Sequence, residues 1–177
     1  MNVMITDPLA FANVVGSDAQ NFNPTTNGLD FITVQSSSTL EPGIFNLGIF
    51  YNYAKNPLPS YESGPSAKKL NSSLAGGDLN FGLGLAENWD TGLSFPFILD
   101  QKVDTDADVG QFSSTGNTEV RFNTKYRLFG TQSHGFALIA SYNHNQISHN
   151  PYVGEGGGPI YNLELAYKTM FGPGSFG

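Results

Sequence analysis

Three histidines, three closely spaced aspartates and a set of charges confined to two segments are the groups in this chain that could do chemistry. A catalytic or metal-binding imidazole needs a second ligand, or a group that orients it, at a workable spacing. His134, His144 and His149 have neither: the first falls in a short turn, the second at the edge of a strand pattern and the third in a loop. A Ser-His pair cannot be singled out among so many equivalent serines. Asp104, Asp106 and Asp108, followed by Gly110, resemble the start of a calcium loop and form a weak metal candidate. Such a loop puts its turn glycine at the sixth position and a bidentate glutamate at the twelfth, where this chain has Val109 and Thr115. With no cysteine there is no thiolate chemistry, disulfide or Cys-ligated metal, a composition that suits an exported protein. The expectation is a protein that is not an enzyme and needs no cofactor.

Six charges, Glu119, Arg121, Lys125, Arg127, Glu164 and Lys168, share a property of position: all lie on one side of a two-residue alternation. Six stretches show that period, which belongs to β-strands dividing an apolar surface from a wet one. The first runs from Gly43 to Ala54, with Phe45, Leu47, Ile49, Tyr51 and Tyr53 opposed to Ile44, Asn46, Gly48, Phe50 and Asn52. The others cover 79–86, 89–99, 118–128, 136–143 and 161–168. No residue on the first face is charged, whereas Asp90 joins the six charges above on the second.

The bulk numbers fit a strand-built membrane protein better than they first suggest. A chain of 177 residues, 39% hydrophobic, accommodates one domain. Mean hydropathy is −0.21, as in soluble proteins. Wet interiors and polar loops dilute the lipid-facing residues of a barrel, however, and no apolar run nears the ~20 residues of a spanning helix. A helical membrane protein is excluded. The net charge of −7 argues against nucleic acid.

Connections between the six stretches alternate in length. Lys55 to Leu70 is long, Ala86-Glu87-Asn88 tight, Asp100 to Asn117 long, Phe129 to Gly135 short and Ser148 to Pro159 long. That order is the mark of an all-β, antiparallel, up-and-down transmembrane β-barrel, and a Greek-key sandwich has no reason to keep it. To hold opposed residues on one face, the tight turn should pair Leu85 with Trp89 across three residues, with Asn88 left-handed. Gly48, Gly82, Gly84 and Gly92 all fall on the charged face, which should therefore be the concave one. Tyr51, Tyr53, Trp89, Phe97, Tyr126, Tyr142, Tyr161 and Tyr167, near strand ends on the apolar face, would form the aromatic girdles at the membrane interfaces.

Gly28 to Gln35 also reads as a strand, but an even count is expected of spanning strands. The segment is thus assigned as a periplasmic piece, a barrel-lining piece or the survivor of a missing hairpin. Six strands are too few to enclose side chains, and 170–177 reads as a turn with no closing strand. The expectation is a fragment: an exported or periplasmic segment at 1–26, the barrel at 27–172 and a turn or truncated tail at 173–177. Ala10-Phe11-Ala12 matches a signal-cleavage site without a basic region before it.

The run from Gly43 to Leu58 resembles the first spanning strand and loop of the amino-terminal barrels of OmpA-family proteins in predatory and gliding bacteria. Leu93-Ser94-Phe95-Pro96, the segment Asn117 to Leu128 and the Gly154-Glu155-Gly156-Gly157 loop resemble the same family. The resemblance covers about 20–170. It implies a bacterial outer-membrane, porin-like barrel, with outer-membrane lipid and lipopolysaccharide as partners and peptidoglycan engaged through a C-terminal domain that does not follow here. The expected function is a structural spanning domain or passive diffusion pore, with Glu119, Arg121, Lys125, Arg127, Glu164 and Lys168 lining its lumen. The acidic 100–117 loop would contact divalent cations held by lipopolysaccharide. Two alternatives are an outer-membrane transporter barrel for small aromatic compounds, which resembles the chain at 117–128, and a soluble β-sandwich binding module.

Overall fold

The computed structural model describes residues 23–30, 32–58, 71–102, 115–146, 159–171 and 174–176. Its elements are β1 (Phe45–Leu58), β2 (Asn71–Ala86), β3 (Trp89–Lys102), β4 (Gly116–Asn117), β5 (Glu119–Gly130), β6 (Gly135–Asn145), β7 (Ile160–Phe171) and β8 (Gly174–Phe176), with no helix among the described residues. All pairings are antiparallel, in the order β1-β2-β3-β5-β6-β7-β8, with β4 added beside β3. Each neighbour in space is the neighbour in sequence, as in an up-and-down meander. Among the described residues β1 pairs only with β2, so the sheet is not closed.

The six predicted stretches are all strands, and they are long. The shortest, β6, has 11 residues and the longest, β2, has 16. Strands of globular proteins usually run to about 5–6 residues, and a tilted strand needs about 9–11 to cross a bilayer. Short and long connections alternate as expected, and β8 extends the series after the brief 172–173 link. The tail read as a turn therefore contains a strand: Thr169 pairs with Phe176 and Phe171 with Gly174.

Local geometry corrects two further expectations. The tight hairpin pairs Gly84 with Asp90 and then Ala86 with Trp89, so its loop is Glu87-Asn88 and not three residues. A two-residue loop would invert the faces. Leu85 restores parity as an extra, bulged residue, and both Leu85 and Trp89 remain on the exposed face. Thr118, placed on the apolar face by the alternation, is buried at the break between β4 and β5. There its N–H and its hydroxyl both donate to Pro96 O, at 3.0 and 3.2 Å.

The sheet is inside out by the standards of a protein in water. Ile49 is 74% exposed, Tyr161 73%, Leu163 71% and Leu165 67%, whereas Asn80 is fully buried and Asp78, Asp90, Ser94 and Lys125 are 2% exposed. Buried hydrophobic residues are few and mostly small or isolated: Leu40, Leu74, Ala75, Ile98, Ala137, Ile139 and Ala166. Polar residues thus dominate the buried side, and the apolar stripe is bare.

Candidate functional site

The polar face is covered by the chain itself. Residues 24–27 and 36–40 lie buried across it. The described residues of the Gly28 to Gln35 stretch form no strand; they link the two buried parts of this covering segment, with Leu29, Ile32 and Val34 exposed at 48%, 61% and 48%.

One residue reveals how the sheet curves. Thr26 O accepts from Asn46 Nδ2 on β1 at 2.8 Å, and Thr26 Oγ1 donates to Asn123 Oδ1 on β5 at 3.1 Å. Those strands are three places apart in the sheet, about 14 Å at the usual interstrand spacing. Side chains stand roughly perpendicular to a sheet, so both can converge on one threonine only where the face curls inward. The charged face is the concave one, as the glycines suggested, but the reason differs. A Cβ on Gly82 would collide with Thr26 O, one on Gly92 with the Thr26 side chain, and one on Gly84 with Glu41 O. These glycines make room for the covering segment, not for converging side chains.

Two charge clusters sit on this face. Lys125 Nζ donates to Asp30 Oδ2 at 2.5 Å and to Ser38 O at 3.2 Å, and Asp30 also accepts from Asn27 Nδ2 at 3.0 Å and from Ser36 Oγ. The Lys125 and Asp30 side chains are 3% and 0% exposed. Every donor and acceptor of this ion pair except Lys125 comes from the covering segment. The second cluster centres on Arg121, which donates through Nε to Glu119 Oε1 at 2.6 Å and reaches Asp78 Oδ2 at 3.5 Å. Asp78 is buried and lies outside the stretch where the alternation was legible. Among the described residues, Asp78 Oδ1 and Asn80 Oδ1 are buried without a hydrogen-bond partner.

Other expected site residues are distributed more widely. Lys168 Nζ donates to Ser38 Oγ at 2.7 Å, and Arg127 Nη2 to Glu87 O at 2.7 Å beside the tight turn. Glu164 is exposed on β7, paired with Ile139 and apart from both clusters. Leu40 N–H donates to Asp90 Oδ2 at 3.0 Å, and Gln132 exchanges two hydrogen bonds with the Thr39 backbone at 3.1 and 2.8 Å. The covering segment is thus hydrogen-bonded to side chains of β1, β2, β3, β5 and β7, and Ser37 lies over Gly135 at the start of β6.

The aromatic candidates fall into two groups on the exposed side. Trp89 and Tyr126 pair across β3 and β5 near the tight turns, with Trp89 Nε1 donating to Thr124 Oγ1 at 2.7 Å, and Tyr167 packs on Phe136 at 4.6 Å. Toward the long connections, Tyr51 and Phe97 flank Gly77, Tyr53 follows on β1, and Tyr142 lies 5.3 Å from Tyr161. Phe45 and Tyr53, eight residues apart on β1, stand about 27 Å apart along the strand.

The histidines have structural settings where they are described. His134 Nδ1 accepts from Met170 N–H at 3.3 Å and contacts Thr169 Oγ1 at 3.0 Å, tying the 131–134 turn to β7. His144 stacks on Tyr142. His149 and the candidate calcium ligands Asp104, Asp106 and Asp108 lie outside the described residues. Among the described residues no three His, Asp or Glu side chains are grouped to hold a metal ion, and no helix is long and apolar enough to cross a membrane. No family model, curated protein or solved structure matches the chain.

Proposed function

We propose that the chain is the greater part of a β-barrel of a bacterial outer membrane, acting as a spanning scaffold or a channel for passive diffusion and carrying out no reaction. The observation that carries this reading is the inverted sheet: polar groups, two ion-pair clusters among them, are buried, and rows of Leu, Ile, Phe and Tyr are exposed. An exposed apolar area of this extent is stable in contact with hydrocarbon or with another apolar surface, and costs free energy in water. The strand lengths and the alternation of turns and long connections support the same reading. Closure of the sheet would require strands beside β1 and β8, because backbone groups on an open edge find no partner in lipid.

The resemblance to OmpA-family barrels fits this picture and rests on the residues of the chain alone. In the proposed orientation Trp89, Tyr126 and Tyr167 mark one interface, and Tyr51, Tyr53, Phe97, Tyr142 and Tyr161 the other. Outer-membrane lipid and lipopolysaccharide are then the partners of the exposed face. A soluble sandwich would need a second layer over the apolar stripe, and the described residues form one sheet.

Phase separation in a cloud-point detergent tests the proposal. The chain should enter the detergent phase, and in membranes should resist extraction by alkaline carbonate. Recovery of a folded, monodisperse chain from the aqueous phase would overturn the reading.

A further inference from the structure

We propose that residues 24–41 are a resident plug, latched by Lys125 on Asp30, that closes the concave channel to small hydrophilic solutes until the latch opens. The inference rests on the barrel reading above and adds a gate to it.

Three observations carry the proposal. The segment occupies the face that would be the lumen, bonded to side chains of β1, β2, β3, β5 and β7, and Gly82, Gly84 and Gly92 stand where it passes closest. A channel built to remain open would have no need of Gly82, Gly84 and Gly92 in that line. Second, the interface is polar. Among the described residues its buried members on the plug side are Pro24, Thr25, Thr26, Asn27, Ser36, Ser37, Ser38, Thr39 and Leu40, most of them polar. Hydrogen bonds of this kind are exchanged readily for bonds to water, so little hydrophobic free energy opposes withdrawal. Third, one interaction is of a different order. Lys125 is buried on the wall and Asp30 on the plug, so removing Lys125 leaves two buried carboxylates, Asp30 and Asp90, without the cation that faces them, and removing Asp30 takes from Lys125 its ion-pair partner on the plug. The ion pair fixes the docked position, and the rest of the interface follows it. Behind the plug the wall offers Asp78, Asn80, Ser94, Arg121 and Asn123, a lining of both charges and amides suited to water and small polar solutes.

The absence of cysteine supplies a clean reporter, since Ser37→Cys adds the sole thiol at a fully buried plug position. Two measurements are made on the whole chain: labelling of that thiol by a charged maleimide in detergent, and uptake of a small sugar by vesicles of phosphatidylcholine and phosphatidylglycerol holding the inserted chain. With the latch intact the thiol should be protected and uptake slow. Asp30→Asn or Lys125→Met should raise both rates roughly tenfold or more, and a Thr26→Cys/Asn123→Cys disulfide, made without the reporter, should hold sugar uptake at the closed level until it is reduced. Ser36→Ala removes a hydrogen bond to Asp30 without baring a charge, and gives the same direction at smaller amplitude should the latch variants fail to fold. Equal labelling in all backgrounds overturns the plug, as does faster labelling without faster uptake. Failure to enter vesicles instead overturns the membrane reading, and the labelling in detergent still decides whether the segment undocks.

Discussion

The two faces of one sheet solve opposite problems. On the concave face, Asp30, Asp78, Asp90, Arg121 and Lys125 are withdrawn from solvent, and each charge has a partner. On the convex face, Ile49, Tyr161, Leu163 and Leu165 are left bare by the fold. A chain selected for water does the reverse, because burying an ionised group costs far more than exposing an aliphatic one. The contrast teaches that the packing partner of the concave face lies within this chain, whereas no described residue covers the convex face.

Substitutions on either face should separate these roles. The largest effect is expected on the concave side: Lys125→Met strands the Asp30 carboxylate and should lower stability by about 3–5 kcal/mol, read as the shift in urea unfolding in lipid vesicles. A smaller change would mean that the pair is hydrated. On the convex side, Leu163→Arg should cost about 2–4 kcal/mol in the same vesicles if that residue sits near the bilayer midplane. Were the face in water, a residue 71% exposed would accept arginine with almost no change. Returning to the concave side, Gly92→Val forces Thr26 off its seat and should cost about 1–3 kcal/mol. The smallest effect belongs to Trp89→Phe, which keeps the ring on the convex face but loses the hydrogen bond to Thr124, worth about 0.5–1.5 kcal/mol.

The strands were legible because alternation is strong where side chains are large. From Phe45 to Tyr53 in β1 and from Tyr161 to Tyr167 in β7 every second residue is Phe, Leu, Ile or Tyr, and the pattern gives face and register together. The first half of β2 escaped notice because Ser72-Ser73 and Gly76-Gly77 carry little side chain to alternate, and Asp78 was missed with it. The bulge at Leu85 is invisible to a period of two, which reports parity but not how a turn preserves it. The covering segment was the hardest to read. Its middle, Gly28 to Gln35, reads as a strand by pattern, and only the line of glycines on the opposite strands hints that a segment passes over them. The wall charges were readable by parity, but their partner Asp30 was not, since it belongs to no strand.

Trp89 is the one tryptophan in the chain and lies on the convex face, 44% exposed. Its fluorescence in vesicles of brominated phospholipid therefore tests directly what covers that face. With lipid against the apolar stripe, emission should shift to the blue, and bromines placed shallow in the acyl chain, near the headgroups, should quench it more strongly than deep ones. Emission unchanged by bromine at any depth, from a chain that stays folded, would contradict the account.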